Sequence, residues 1–496
     1  MGATRGCQLL MALAALLVVL RGCAGQDVDG GGADSPEAAA GPTAPMEEKE
    51  RAALYAAIES FVGKGWNGSG LYPDPCGWSP IQGVSCDLFN GLWYPTAISI
   101  GPVLDNSLQC APDARFSPQL FDLRRLRTLS FYSCFPASNP TAIPTASWEK
   151  LSGSLETLEF RTNPGLTGAI PTSLGRLSAL QSLVLVDNNL TGAIPAELGD
   201  LLKLRRLVAS GNNWLSGPIP ATLGNDHRHD ELLILDLSKN LLIGSLPSSL
   251  GGLRGLLKMD LSDNLLHGSI PPELGELNNL TLLDLRNNSL TGGVPPFVQS
   301  MASLQDLLLS NNPLGGSLPS SGWENMSSNL ATLDLSNVGL SGAIPESMAA
   351  LTGLRFMALD HNHLTGPVPS GLARMPRIAA MYLNGNNLTG ALAFEAAFYE
   401  RMGRRFASWD NPGLCYDVAA VDAAHAPAGV VVCKDLQEPA RDGGEDEQER
   451  RKPEASSSLV ASSACGLSDA NAGGLWWPLL VVSSTVASTL LGSVLL

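Results

Sequence analysis

The sequence predicts an α/β solenoid, in which short repeating coils stack on one another. Three observations support this: equivalent leucines mostly lie 24 residues apart, an asparagine follows each leucine pair, and a Gly-x-Ile-Pro segment comes next. A fixed period of about 20 to 50 residues is typical of repeat architectures. A chain of 496 residues is also too long for one compact core, so an elongated array agrees with its length.

Each coil begins with a leucine that precedes a predicted strand. In the LxL segment alternate side chains point to opposite faces, so the leucines point inward and each strand joins a parallel sheet on the concave side. A single coil buries too little apolar surface to offset the backbone entropy of ordering it, so each coil depends on its neighbours. The coils begin at Leu155, Leu180, Leu204, Leu232, Leu256, Leu280, Leu304, Leu330, Leu354 and Ile378.

The asparagine lies where the chain bends after the strand. An amide both donates and accepts hydrogen bonds, so stacked asparagines can satisfy buried backbone groups of neighbouring coils. In the next segment, Gly makes the turn, Ile or Val points inward, and Pro removes a donor where no bond is needed. The predicted ladder is broken at Val338 and contains Asn163, Asn188, Asn212, Asn240, Asn264, Asn288, Asn312, Asn362 and Asn386.

The first coil needs a cover over its core. The segment EKERAALYAAIESFVGKGW predicts an amphipathic helix, because Leu54, Ile58, Phe61 and Val62 share one helical face. At the other end, ASWDNPGLC and Cys433 are expected to form a second cap.

Six of the nine cysteines fall into near-neighbour pairs at the two ends of the array. In an oxidising compartment, this spacing predicts three local disulfides. Metal ligation is the alternative, but neither a CxxC spacing nor paired histidines accompany these cysteines. The expected pairs are Cys76 with Cys86, Cys110 with Cys134, and Cys415 with Cys433.

Both ends of the chain carry segments typical of a secreted protein. Arg5, the apolar run from Leu9 to Leu20 and small residues near Gly25 predict a signal peptide, and this run is too short to cross a ~30 Å hydrocarbon core. The predicted organisation is a signal peptide (1–25), a disordered linker (26–45), an N-terminal cap with irregular first repeats (46–154), regular repeats (155–393), a C-terminal cap (394–433), a disordered acidic stalk (434–462) and a hydrophobic tail (463–496).

The tail is apolar from Leu475 to Leu496 and has no Lys or Arg after it. Small residues beginning at Ser462 and a polar spacer precede it, which is the pattern of a glycosylphosphatidylinositol (GPI) attachment signal. We therefore expect Ser462 to receive the lipid anchor. A retained membrane helix is the alternative, although a single-pass receptor normally carries a basic cytoplasmic flank.

Charge and motifs exclude several function classes. A net charge of −16 leaves no basic field for phosphates, so nucleic acid is not an expected partner. The chain lacks a GxSxG elbow, a phosphate-binding glycine loop followed by Lys, and a kinase segment. We expect neither an enzyme nor a cofactor.

The LTGxIP segments and the W…PC.W..V.C pattern from Trp66 to Cys86 resemble the extracellular plant leucine-rich-repeat family. The resemblance covers about Glu47 to Cys433 and implies a right-handed leucine-rich-repeat horseshoe of about ten plant-type repeats with disulfide-tied caps. The pair Cys110 and Cys134, the phrases FYSCF and NPGLTGAIP, and the tail without a kinase resemble receptor-like members connected with responses to root-colonising fungi. This resemblance implies a plasma-membrane protein that takes part in receptor complexes and defence.

Candidate binding residues point outward from the strands, onto the concave face. Asp236, Asp260, Asp284 and Asp334 form a column there, which the habitual LDLS strand sequence also explains. Charged and aromatic residues that are particular to one coil are stronger candidates, because such residues are enriched in contact hot spots. The predicted partner-binding set is Arg355, Phe356, Asp360 and Tyr382 with Trp214, and Arg205, Arg206, Arg286 and His361 are further candidates.

Trp214 lengthens its coil by one residue, and the segment NDHRHDE extends the following loop. The alternative for Trp214 is simple packing against the next coil. His227 and His229 could suggest a metal, but they have no further ligands nearby in the sequence, so we expect a solvated loop and no metal site.

Six N-x-S/T sequons mark positions expected to be exposed and to carry glycans. Asn287 is expected to border the concave face, where a glycan would exclude protein partners from mid-array. The sequons begin at Asn67, Asn189, Asn279, Asn287, Asn325 and Asn387.

These features predict a cell-surface recognition or co-receptor protein that binds a protein or peptide and signals through a transmembrane receptor kinase. The alternative is an apoplastic inhibitor of microbial cell-wall hydrolases, a function to which a membrane anchor adds little.

Overall fold

The structure, a computed structural model, describes residues 44–102, 107–225, 231–421 and 425–433. The predicted signal peptide, the linker up to residue 43, the stalk, the tail with Ser462, and the loop with His227 and His229 lie outside the described residues. None of the helices in the described ranges has the length and apolar composition that a membrane crossing requires.

A long sheet receives one short strand from each coil, as the leucine spacing predicts. Its first two strands are antiparallel, and all later neighbours in the described chain are parallel. The strands are β1 (Val84–Phe89), β2 (Leu92–Ile100), β3 (Thr128–Tyr132), β5 (Thr157–Arg161), β7 (Ser182–Val186), β9 (Arg206–Val208), β11 (Ile234–Asp236), β13 (Lys258–Asp260), β15 (Leu282–Asp284), β17 (Asp306–Leu308), β18 (Thr332–Asp334), β20 (Phe356–Ala358), β22 (Ala380–Tyr382) and β24 (Phe406–Ala407).

Two further parallel sheets, which the sequence did not predict, run along the side of the coils. They are separated at the coil that holds Pro313, Gly315 and Gly316, where Pro lacks an amide donor and both glycines adopt positive φ. The first contains β4 (Thr141–Ala142), β6 (Leu166–Ala169), β8 (Asn189–Gly192), β10 (Trp214–Gly217), β12 (Leu241–Gly244), β14 (Leu265–Ser269) and β16 (Ser289–Thr291), and the second contains β19 (Ser341–Ala343), β21 (His363–Gly366), β23 (Asn387–Leu392), β25 (Gly413–Tyr416) and β26 (Val431–Val432).

The third side of most coils is a short 3-10 helix. Neighbouring helices pack tightly here: a Cβ added to Gly251 would lie 2.2 Å from the carbonyl oxygen of Glu273 in the next coil, so only glycine fits. The helices span Pro118–Asp122, Trp148–Leu151, Thr172–Arg176, Ala196–Asp200, Ser248–Gly252, Pro272–Glu276, Pro296–Ser300, Trp323–Met326, Glu346–Ala350 and Ser370–Arg374, with a last one at Gly403–Arg405 in the C-terminal cap.

One continuous apolar core fills the interior of the coils. The repeat leucines are buried, as predicted, and so are the Ile and Val side chains of the Gly-x-Ile-Pro segments, such as Ile194 and Ile270. The asparagine ladder is also confirmed: the side chain of Asn264 accepts a bond from the Leu242 amide and donates to the carbonyl oxygens of Leu237 and Leu261. Its continuation into the C-terminal cap through Asn411 was not predicted.

The caps cover the two ends of this core. Helix α1 (Glu48–Val62) buries Leu54, Ile58 and Phe61, and Val62 is partly buried against the same core. A short helix α2 (Gly68–Leu71) follows α1, and α3 (Ala396–Met402) covers the other end with Phe398 against Phe394. The three predicted disulfides are confirmed: Cys76–Cys86, Cys110–Cys134 and Cys415–Cys433.

Candidate ligand-binding surface

The outward side chains of the long sheet form a surface that we call the open face. Because side chains alternate along a strand, every second residue of each strand lies on this face. Register pairs align these residues into columns across the coils. The middle column reads Ser130, Glu159, Val184, Val208, Asp236, Asp260, Asp284, Leu308, Asp334, Ala358 and Tyr382.

A hydrogen-bonded polar network occupies the N-terminal part of the open face. The Tyr132 hydroxyl donates to Glu159 Oε2 at 2.9 Å, and Arg161 Nε donates to the same oxygen at 3.2 Å. Burial raises the pKa of Tyr132, and the Glu159 carboxylate adds to this effect. This network was not predictable from the leucine spacing, because Tyr132 precedes the first regular coil.

Arg206 lies on this network's edge and is half-buried. Its Nε is enclosed and has no hydrogen-bond partner within the described chain. Burial lowers the pKa of Arg206, and the nearby Arg161 lowers it further. The part of this guanidinium that is exposed on the open face is suited to a carboxylate or carbonyl oxygen of a ligand.

The centre of the open face carries the predicted aspartate column. Ser262 Oγ donates to Asp260 at 2.7 Å, and Ser238 Oγ donates to Asp236 in the same way. Burial raises the pKa of Asp260 to about 6, and the carboxylates of Asp284 and Asp236 contribute to this rise. A cationic ligand group placed here would relieve this repulsion.

One member of the column differs from the expectation. Asp284 is buried, with 3% of its surface exposed, and Arg286 Nη2 lies 2.6 Å from its Oδ2. This ion pair covers the carboxylate and raises the pKa of Arg286 through the hydrogen bond. Asp284 is therefore not available to a partner, and Arg286 is turned onto its own coil.

The C-terminal part of the open face holds an aromatic pair. Phe356 on β20 and Tyr382 on β22 are half-buried, and their ring centroids lie 5.6 Å apart. Asp360 follows on the same face, where its carboxylate lies 2.7 Å from His361 Nδ1. Four of the sequence candidates are thus brought into one region.

Arg355 belongs to this region but not to the strand itself. It lies one residue before β20 and is exposed, and its carbonyl accepts bonds from the amides of Ala379 and Ala380. The sequence prediction that Arg355 lies on the strand was therefore wrong by one position. Arg355 directly precedes Phe356 in the chain, and its side chain is exposed at the start of β20.

Trp214 does not join these residues. It lies on β10 of the first side sheet, where 59% of its surface is exposed. More than half of Trp214 is therefore exposed, on a sheet other than the one that carries the open face. The two histidines of the following loop fall outside the described ranges, and no group of three potential metal ligands occurs within those ranges.

The predicted sequons lie at the surface. Asn189 is half-buried, and the asparagines at 67, 279, 287, 325 and 387 are exposed. Asn287 follows β15 at a positive φ of 54° and donates to Asp263 Oδ1 at 2.7 Å. Its place after the strand agrees with the expected border position, and its glycosylation stays a prediction.

The chain contains leucine-rich repeats: the Leucine Rich Repeat family model matches residues 179–201, 231–253, 255–277, 279–301 and 303–325. It is 49% identical to Piriformospora indica-insensitive protein 2 of Arabidopsis thaliana over 174 residues, which are 35% of this chain and 39% of that protein. It is 35% identical to Receptor like protein 29 of Arabidopsis thaliana over 149 residues, which are 29% of this chain and 31% of that protein. The chain thus spans well under half the length of these relatives.

A solved structure is also similar to the fold of this chain. The crystal structure of PEPR1–AtPEP1 matches with a TM-score of 0.56 and 25% identity over 74% of this chain and 55% of that chain. Together with the repeat matches, this confirms the predicted leucine-rich-repeat solenoid and the resemblance to plant receptor-like proteins.

Proposed function

We propose that this leucine-rich-repeat chain, which is similar over 29% of its length to a plant receptor-like protein, is a recognition or co-receptor protein. It binds a protein or peptide partner on the open face and performs no catalysis. The proposal places the chain on the outer side of the plasma membrane, held there by a C-terminal anchor at Ser462. Signalling then passes through a transmembrane receptor kinase, in plant–microbe or developmental responses.

The aromatic pair of Phe356 and Tyr382 is the observation that carries this proposal. The two rings lie in contact on adjacent strands, and the exposed Arg355 and the half-buried Asp360 come directly before and shortly after β20 in the chain. A few residues carry most of the binding free energy at protein interfaces, and Trp, Tyr and Arg are enriched among them. A strand in a stacked sheet presents them without reordering, so little conformational entropy is lost on association.

Similarity to known proteins gives further support. One relative is a receptor-like protein by name, and the matched PEPR1 structure was solved together with AtPEP1. Both similarities support a binding function for this chain. They do not transfer the function of either protein, because the alignments cover only part of each one.

The test is a triple variant, Arg355→Ala with Phe356→Ala and Tyr382→Ala. The full chain, displayed on plant membranes, is used to capture extracellular peptides and proteins, and the affinity of each captured component is then measured. We expect the triple variant to weaken its partner by more than about 2 kcal/mol, or roughly 30-fold. Folding should change little because these side chains point outward.

A matched control replaces two other apolar residues of the open face, Ile234→Ala with Leu282→Ala. This control should retain wild-type affinity if binding is centred on the C-terminal region. Equal affinity of the wild type and the triple variant would contradict that site. Equal loss in both variants would move the binding site to mid-array.

A further inference from the structure

The first side sheet carries four large apolar side chains that are exposed, which we call the apolar flank. They are Trp214 on β10, Leu241 and Ile243 on β12, and Leu265 on β14, exposed by 59%, 37%, 48% and 52%. Each points away from the core because its strand neighbour, such as Leu215, Leu242 or Leu266, is buried. This surface lies on a different sheet from the open face.

Neighbouring coils show that the repeat does not require apolar residues here. The position before the buried leucine of the LxG turn is Trp214, Leu241 and Leu265 in three consecutive coils. In the other coils with the same turn it is polar, glycine or proline: Gly165, Asn189, Ser289, Pro313, Gly339, His363 and Asn387. The position after that leucine is Ile243 in one coil and Thr, Ser, His or Gly in the others. The flank is therefore a property of three coils and not of the fold.

The four side chains form one continuous strip. In the sheet register Ile243 lies directly opposite Leu265, and Leu241 lies opposite Ser216, two residues after Trp214. The strip is thus centred on β12 and has one large apolar side chain on the strand at either side. If two copies are related by a two-fold axis through the centre of the strip, each strip packs against the same strip of the other copy, as in an isologous interface.

The size of the apolar flank also fits a second copy of the chain. At roughly 200 Å² for a full side chain of this kind, the four exposed fractions leave roughly 400 Å² of apolar surface, the size of patch that is often functional. Serine and threonine side chains such as Thr191, Ser216 and Ser289 surround it, as the polar rim surrounds the core of a specific interface. With an equal area of rim, two copies would bury about 1,600 Å² in total, which is the standard size of a stable interface.

The predicted glycans leave this strip uncovered. Sequons lie on both sides of it, at Asn189 on β8 and at Asn287 in the turn before β16, and the sequence has none on β10, β12 or β14. We propose that the apolar flank is the contact surface of a homodimer, in which two copies of the chain pack flank against flank. This proposal is independent of the ligand bound on the open face.

The test uses the double variant L241E/I243E, which places two charges at the centre of the strip. A matched control, H363E/T365E, adds the same charges at the equivalent positions of β21, where the flank is polar. The full chain, purified in a mild detergent, is measured by sedimentation at micromolar concentrations. Two differently tagged copies expressed together are also co-precipitated.

The wild type and H363E/T365E should sediment as dimers, and L241E/I243E should raise the dimer dissociation constant by at least about tenfold. A second variant, L241N/I243T, guards against misfolding because it recreates the NLTG sequence that the chain already carries at 189–192 and 387–390. It adds a sequon at the centre of the strip and should also abolish the dimer. A monomeric wild type, or dimers that survive both flank variants, would overturn the proposal.

Discussion

Removing one amide from the asparagine ladder should destabilise the whole array. Asn264 is buried, and its Oδ1 accepts the Leu242 amide at 3.0 Å. In Asn264→Ala, this buried N–H loses its acceptor, which costs about 1–3 kcal/mol. The carbonyl oxygens of Leu237 and Leu261 keep second donors, Asn240 at 2.8 Å and Asn288 at 3.0 Å. With the small void added, we expect a loss of about 2–4 kcal/mol.

The natural break in the ladder at Val338 supports the view that an unpaired backbone amide is the main cost of losing an asparagine. There the amides of Val338 and Leu340 both donate to Asn362 Oδ1, at 3.1 and 3.0 Å. The amide of Leu314, one coil earlier, donates instead to the Asn312 carbonyl at 2.9 Å. The break therefore leaves each of these amides paired, whereas Asn264→Ala in an otherwise regular coil does not.

The assay is the free energy of unfolding in urea, followed by circular dichroism. Asn278→Ala is the matched control, because Asn278 is an exposed amide of the same coil and its removal should change stability by less than about 0.5 kcal/mol. Repeat arrays can lose two-state behaviour, so the midpoint and the slope are compared together. If both variants had the same free energy of unfolding as the wild type, this would show that the ladder amides do not stabilise the bend.

Two other predictions concern the ends of the chain. The Glu50 carboxyl is 7% exposed, its Oε1 has no hydrogen-bond partner in the described chain, and burial raises its pKa to about 7. The protonated carboxyl therefore contributes its full stability below the unfolded pKa near 4.5, and this contribution is lost as pH rises through about 7. The Tm should fall over that pH window, and it should fall less in Glu50→Gln. Equal slopes of Tm against pH in the two proteins would count against this prediction. Phospholipase C specific for phosphatidylinositol should release the protein from plant membranes, and retention of the protein in the membrane, with the Leu475–Leu496 peptide still detectable, would exclude the GPI anchor.

The sequence predicted what is repeated and local. Leucine, asparagine and glycine positions recur at a fixed spacing, so each coil repeats the evidence for the long sheet and for the ladder. The disulfides were predictable because each pair is separated by 10 to 24 residues and lies within one cap. Asn411 was missed because the strand before it, Phe406–Ala407, carries no leucine pair.

Features that depend on side chains from different coils were not predictable. The side sheets rest on two to four paired residues per coil, too few to show an alternating pattern. The burial of Asp284 depends on where the Arg286 side chain turns, because alternation alone places both residues on the open face. Trp214 was recognised as unusual, but its apolar neighbours become visible only when three coils are aligned by their LxG turns.

The open face and the apolar flank are separable surfaces of the same coils. Asp260 on β13 and Leu265 on β14 are only five positions apart in the sequence, yet they belong to different sheets. Between them lies Asn264, whose amide is bonded to the backbone of its own coil and of the preceding one. The bend at each asparagine therefore fixes the angle between the two sheets, and a substitution at the tip of one surface does not shift the other. Ligand binding and self-association can thus be altered one at a time, whereas the loss of a ladder amide acts on both through the stability of the coil.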